Sequence, residues 1–312
     1  MYNISHKYKR ILFLLLKIAI VVGAIYFIYQ KLVNNQLLSL SQLKEQFSRI
    51  FNNDIWTILV LLLFTDANWL LEIFKWNTLA SKEKNISFFE AYEQCLASLT
   101  ASIITPNRIG EYGAKALYFE YGKRKKIMLL NLIGNLSQLG VTIFFGIIGL
   151  LFFIRNFDMT LPKFNNGILL FFIIIITLVF VFRTKLKLIK ISRFLKEIPV
   201  KIYIKTLGFS FLRYLVFSHQ FYFLLRMFGI ETDYMTLMNL IFCMYFIASI
   251  VPGLSIFDWV IKGSVAVWLF GFINLNELTI VSIAAIMWIL NFAIPALLGS
   301  IFVLNFKMID KE

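Results

Sequence analysis

Two stretches of an otherwise apolar chain carry opposite charges at helical spacing. Residues 101–119 read A-S-I-I-T-P-N-R-I-G-E-Y-G-A-K-A-L-Y-F, and residues 248–267 read A-S-I-V-P-G-L-S-I-F-D-W-V-I-K-G-S-V-A-V. Ala-Ser, a proline, an acid and a lysine recur in order, with the acid four residues before the lysine in both: Glu111 and Lys115, then Asp258 and Lys262. Four residues along a helix return to the same face, so each copy can present a carboxylate and an ammonium together. Such a pair can do acid–base work, gate a hydrated path in turn with its twin, or serve only as an ion pair that closes a hairpin. Charge at membrane depth is costly unless paired and is a functional candidate by default.

The breaks within the two stretches offer a different chemistry. Pro106 has no amide hydrogen and disfavours helix at the residue before it. A helix running in from Phe88 is therefore expected to stop near Thr105, and a new one to begin near Gly110. The first-turn amides and the positive end of that new helix attract anions. Arg108 sits in the break and adds a forked cation suited to phosphate. Gly110 and Gly113 leave room for a headgroup or a neighbouring helix. The second copy breaks at Pro252 and Gly253, with Leu254 and Ser255 in place of an arginine. Polar residues scattered through the apolar segments complete the candidates: Asp66, Asn68, Glu72, Asn131, Asn135, Gln138, Arg213, His219, Gln220 and Asn291. Each by itself reads as an interhelical hydrogen bonder, and Asp66 and Glu72 are the hardest to assign to that role alone.

These residues need a membrane scaffold to position them. Of 312 residues 60% are hydrophobic and 15% charged, more apolar surface than a soluble core of this size could hide. The expected fold is all-α, a single membrane domain over 1–312. Stretches long enough to cross about 30 Å of hydrocarbon occur at about 11–30, 55–76, 127–153, 167–182, 203–228 and 278–306. The first is too long, and lacks the small-residue cleavage pattern, to be a cleaved signal. With the amino terminus cytoplasmic, the inside segments hold 19 Lys or Arg, counting Lys75 with its loop, and the outside ones hold 5. That positive-inside bias holds only if both broken stretches leave and return on one side, as re-entrant hairpins. A shift of 147 residues superimposes spans as well as hairpins, dividing the chain into repeats of about 11–153 and 167–306. Three spans per repeat require opposite insertion, the inverted-repeat architecture of many transporters. Residues 32–51 have the spacing of a helix at the outer interface. The basic-aliphatic loop 183–202 reads as a topogenic segment lying on the bilayer or as a dock for anionic headgroups.

Other classes find little support. The net charge of +14 comes from bases lying between apolar spans, so it orients the chain and does not point to nucleic acid. Cys95 and Cys243 lie in apolar segments without disulfide or metal-ligand spacing, and two histidines give a metal site little material. No cofactor is expected. No nucleophile elbow, phosphate loop, zinc-protease helix or dinucleotide turn is present, so the expected protein is not an enzyme.

The residues T-P-N-R-I-G-E, with the later P-G and acid before an apolar helix, resemble the membrane region of lysylphosphatidylglycerol synthases and their stand-alone relatives, a family that includes flippases. The likeness covers about residues 10–305. It implies a bacterial inner-membrane protein, in which the six spans and the charge count would leave both termini cytoplasmic, and a family some of whose members move aminoacylated phospholipid between leaflets. By position, Pro106, Arg108, Gly110 and Glu111 match the first motif and Pro252, Gly253 and Asp258 the second. The second motif departs from the pattern in lacking a further glycine and in having Asp258 where glutamate is commoner. No aminoacyl-transferring domain is expected in this chain. The expected partner is a membrane phospholipid or a polyprenyl-phosphate lipid, bound at the two breaks and moved across the bilayer. The alternative is a membrane-embedded enzyme or accessory subunit in lipid or envelope-polysaccharide synthesis.

Overall fold

A computed structural model of the chain describes residues 55–103, 105, 108–157, 188–251 and 258–307, together with isolated positions between 15 and 48. Every element in the described residues is helical. In order these are α1 (Ile55–Ala80), α2 (Phe88–Ser102), α3 (Ile109–Leu117), a 3-10 turn at Tyr121–Lys123, α4 (Arg124–Asn156), α5 (Leu188–Lys196), α6 (Val200–Met227), α7 (Tyr234–Ile250), α8 (Asp258–Gly271), α9 (Glu277–Trp288), a π-helical turn at Ile289–Ala293, and α10 (Ile294–Asn305). Three helical segments are long and apolar enough to cross a membrane: Ile55–Ala80, Tyr121–Asn156 and Glu277–Asn305. The chain is an integral membrane protein of the all-α class. Helix α6 has the length of a span, but Lys201, Lys205, Arg213 and Arg226 interrupt its apolar character. The expected spans at 11–30 and 167–182 and the interfacial segment 32–51 lie outside the described residues, apart from isolated positions.

Local sequence accounts for the helix ends. Ser87 and Glu90 form a reciprocal capping box on α2: the Ser87 hydroxyl accepts from the Glu90 amide at 3.1 Å, and the Glu90 carboxylate from the Ser87 amide at 2.6 Å. That pair satisfies two of the donors a helix start leaves open. Asp233 and Asn276 cap α7 and α9 by single bonds, accepting from the amides of Thr236 and Thr279. Pro295 cannot donate the amide that an α-helix would send to the Asn291 carbonyl four residues back. The chain widens there into the π turn, and Trp69 Nε1 of α1 donates to that carbonyl instead, at 3.2 Å.

Helices α2 and α3 form one packed pair and α7 and α8 another, each of short helices joined across a break, and no arm reaches the about 20 residues that a full crossing needs. The larger contacts are reciprocal. Helix α1 packs on α6, α2 on α10, and α4 on α7. Shifting by 147 residues carries α1 onto 202–227, α2 onto 235–249 and α4 onto 271–303, so the packing scheme maps onto itself when the halves are exchanged. Both crossings are close at a glycine. A Cβ at Gly149 would meet the Asn239 carbonyl at 2.5 Å and the Cys243 amide at 2.7 Å, and one at Gly299 would overlap the Leu96 carbonyl and the Thr100 hydroxyl. Leu96 and Cys243 are themselves 147 residues apart. Small residues that let backbones meet are how helices associate where lipid is as apolar as the side chains. Both cysteines are buried thiols, Cys243 in the α4–α7 seam at Gly149.

Two apolar clusters form the interior. Ile73, Trp76, Leu99, Ile103, Phe119 and Leu130 anchor one, with Trp259 and Trp288 packed into it. Tyr214, Phe221, Leu240, Cys243, Phe270 and Ile283 anchor the other. Helix α5, from the basic 183–202 segment, docks Phe194 on the first cluster, and Lys82 Nζ donates to the Glu197 carbonyl just beyond it at 2.9 Å.

Candidate functional site

The break between α2 and α3 is bridged by one side chain. The Thr105 hydroxyl donates to the Ser102 carbonyl at 2.8 Å and accepts from the Gly110 amide at 2.9 Å, tying the end of one helix to the start of the next. Because this amide is occupied and the Glu111 amide bonds to the Arg108 carbonyl at 3.0 Å, these first-turn donors are already used within the turn. Arg108 has φ +56°, a left-handed conformation costly for a residue with a Cβ. Gly110 meets a close approach, since a Cβ there would lie 2.9 Å from the Ala101 carbonyl. Gly113 faces open space, so no close approach explains that glycine.

Two clusters of the same composition flank this break. In the first, the Glu111 carboxylate accepts from Lys115 Nζ at 2.8 Å and from the Arg108 guanidinium at 2.9 Å. In the second, the Glu72 carboxylate lies 2.7 Å from Lys75 Nζ and 2.8 Å from Arg213 of α6. Each holds one acid and two bases, with the lysine fully enclosed: Lys75 is 2% exposed and Lys115 1%. Lys115 also donates to Asn131 at 2.9 Å and lies 4.4 Å above the Trp76 ring. The sequence count placed Lys75 in a cytoplasmic loop; the structure places it inside α1, where Glu72 one turn earlier neutralises it.

Both arginines reach one cavity of about 320 Å³, where the two apolar clusters meet. Its polar wall comprises Arg108 from the first broken stretch, Lys262 from the second, Arg213 from α6, and Asn68, Gln138 and Asn291. Trp259, Trp288, Tyr245, Phe217, Phe221 and Phe292 supply the aromatic surface. No described carboxylate lines it. An amide chain holds the polar wall in place: Arg213 Nε and Asn291 bracket Asn68 at 2.9 and 2.8 Å, Asn291 donates to Gln220 at 2.9 Å, and Gln220 donates to Thr65 at 2.9 Å. Gln138 Nε2 donates to the Ser210 carbonyl at 3.3 Å, and its buried Oε1 has no partner among the described residues. The indole nitrogens of Trp259 and Trp288, also buried, have no acceptor among the described residues.

Other sequence candidates fall elsewhere. Lys115 faces Trp76 and away from the cavity, whereas its repeat mate Lys262 lines it, 5.7 Å from the Tyr245 ring; equivalent positions in the duplication have different surroundings. His219 is held by the Leu215 carbonyl and the Tyr234 hydroxyl, each at 2.8 Å, and is not in the cavity wall. Asp66 is exposed on α1. Pro106, Pro252 and Gly253 lie outside the described residues, as does the Asp258 side chain. Sequence reasoning did not single out Trp259 and Trp288, because a tryptophan in an apolar segment has no pattern that separates core from site. Lys75 carried a usable signal, the three-residue spacing from Glu72.

Among the described ion pairs, Arg108, Lys115, Lys75 and Arg213 meet two carboxylates, Glu111 and Glu72, and pairing is what makes buried charge tolerable in a low-dielectric interior. Each carboxylate holds an arginine that lines the cavity, Glu111 holding Arg108 and Glu72 holding Arg213.

Comparison with known proteins places the chain. The family described as lysylphosphatidylglycerol synthase TM region matches residues 14–302, and the chain belongs to that family. No curated protein and no solved structure matches it.

Proposed function

We propose that this protein binds the phosphate of a membrane lipid in the cationic cavity and passes the lipid between leaflets chemically unchanged. The observation that carries this reading is the joining of Arg108, Arg213 and Lys262, from both halves of the chain, in one aromatic-walled cavity that no described carboxylate lines. Phosphate suits forked guanidinium donors, and the aromatic surface suits the glycerol or acyl portion next to it. The cargo is a phospholipid or a polyprenyl-phosphate lipid. Six spans with two re-entrant hairpins in inverted repeats is the topology we adopt with it, supported by the reciprocal packing of α2 on α10 and α4 on α7. Family membership supports placement in a bacterial inner membrane, and the positive-inside distribution supports both termini in the cytoplasm.

The test is leaflet exchange of a fluorescent anionic phospholipid in vesicles containing the purified chain. Arg108→Gln removes one charged hydrogen bond to the phosphate, worth about 1.5–3 kcal/mol, so lipid retention should fall by about ten- to a hundredfold and exchange with it. The recovered lipid should have its starting mass. A folded Arg108→Gln protein that exchanges lipid at the parental rate overturns the reading, and a changed lipid mass would make the protein an enzyme.

A further inference from the structure

We infer that the elbow between α5 and α6 is a second lipid site, apart from the cavity, which holds an anionic phospholipid of the surrounding leaflet as a resident and not as cargo. The bases at this end of the bundle are not alike. Lys84 stands 4.0 Å from Glu90, Lys123 3.0 Å from Glu120 and Lys126 3.3 Å from Glu83, so the α1–α2 loop and the start of α4 carry their own counter-charges. Arg193 and Lys196 on α5 and Lys201 and Lys205 on α6 are all exposed, and among the described residues no carboxylate pairs with any of them. Glu197, the acid on this elbow, is tied through its backbone carbonyl to Lys82 at 2.9 Å and forms no ion pair with its basic neighbours.

The elbow is held firmly from behind. Phe194 and Ile198 are buried in the first apolar cluster, with Leu195, Ile202 and Tyr203 packed against it, and the Tyr203 hydroxyl donates to the Leu195 carbonyl at 2.9 Å. Helix α5 therefore meets the protein with its apolar side and the surroundings with its bases. Beside those bases α6 carries an apolar lane. Val200, Ile204, Leu207 and Phe211 are all exposed, and their spacing puts them on one face. From first to last the lane runs about 16 Å, half of the about 30 Å of hydrocarbon, and Lys201 and Lys205 each directly follow a lane residue. Bases above an apolar lane one leaflet deep have the outline of a phospholipid, with the phosphate at the lysines and an acyl chain along the lane. Each base near an anionic headgroup contributes about fivefold in affinity. A soluble anion matches the bases and leaves the lane unused; a neutral lipid matches the lane alone.

The experiment places a bimane fluorophore on Leu207→Cys, the two native thiols being buried. The full chain is reconstituted in phosphatidylcholine vesicles holding rising fractions of brominated phosphatidylglycerol or brominated phosphatidylcholine, since bromine on a bound chain quenches the label. Phosphatidylglycerol should quench at about a tenfold lower mole fraction. Lys201→Gln with Lys205→Gln should reduce that preference to about twofold or less, and Lys201→Arg with Lys205→Arg should keep it. Lys84→Gln with Lys123→Gln removes the same charge from bases that already face acids, and should leave the preference within about twofold of the parent. Equal quenching by the two lipids in the parent makes the lane an unselective contact, and equal loss in the two glutamine pairs makes the preference one of net charge; either result overturns the inference. Glycerol 3-phosphate in the buffer should not relieve the quenching, and full relief would make the ligand a free phosphate and overturn the lipid assignment. Arg108→Gln should leave the preference unchanged. A loss there would merge this site with the cavity and overturn the second site, whereas failed lipid exchange with an intact preference counts against the cavity reading alone.

Discussion

Replacing Glu72 by glutamine isolates the charge logic of the buried network. The substitution keeps the size and hydrogen-bonding capacity of the side chain but strips its charge, leaving Lys75 and Arg213, which it held at 2.7 and 2.8 Å, without their shared acid. Lys75 is 2% exposed and cannot reach water from its place in α1. Breaking a buried pair from one side costs about 3–5 kcal/mol. At about 2–4 °C per kcal/mol for chains of a few hundred residues, the thermal midpoint in detergent should fall by about 6–20 °C. The double variant Glu72→Gln, Lys75→Met removes one stranded cation and leaves only Arg213, whose side chain is 18% exposed at the cavity. It should regain at least half of the loss, because the two sites are coupled. The assay is fluorescence-monitored unfolding of parent, single and double variants in the same micelle. A double variant no more stable than the single would refute the claim that Glu72 is kept for charge compensation.

Glu111→Gln should cost less than Glu72→Gln in the same melt, because the Arg108 side chain is 38% exposed and can rehydrate through the cavity. Gly149→Ala and Gly299→Ala should each destabilise by about 1–3 kcal/mol, since the new Cβ meets backbone of the facing helix, while Gly113→Ala, facing open space, should not lower the midpoint. The Ser87 amide holds the Glu90 carboxyl below its ordinary value. Its contribution is therefore complete above about pH 4.3 and lost as pH falls through the lowered value, and Glu90→Gln should flatten that part of the midpoint's acid limb. Cysteines introduced at Lys84 and Lys125 should be shielded from an impermeant thiol reagent added outside, while one at Glu231 reacts; labelling of 84 with protection of 231 would invert the proposed topology.

Local relations were legible in the sequence. Glu111 and Lys115 lie one helical turn apart, so their pairing followed from spacing once the segment was helical, and the break before Gly110 followed from Pro106. The family and the membrane class were likewise written in motif and composition. Which face of each helix points inward was not. In a membrane, lipid-facing and protein-facing residues are equally apolar, so hydropathy loses the two-sided pattern that orients a helix in water. The tertiary structure alone therefore decided that Arg213 crosses to Glu72, 141 positions earlier in the chain, and that Lys262 faces the cavity while Lys115 turns toward Trp76. It also decided that two tryptophans otherwise indistinguishable from core residues bring unused donors to the same space.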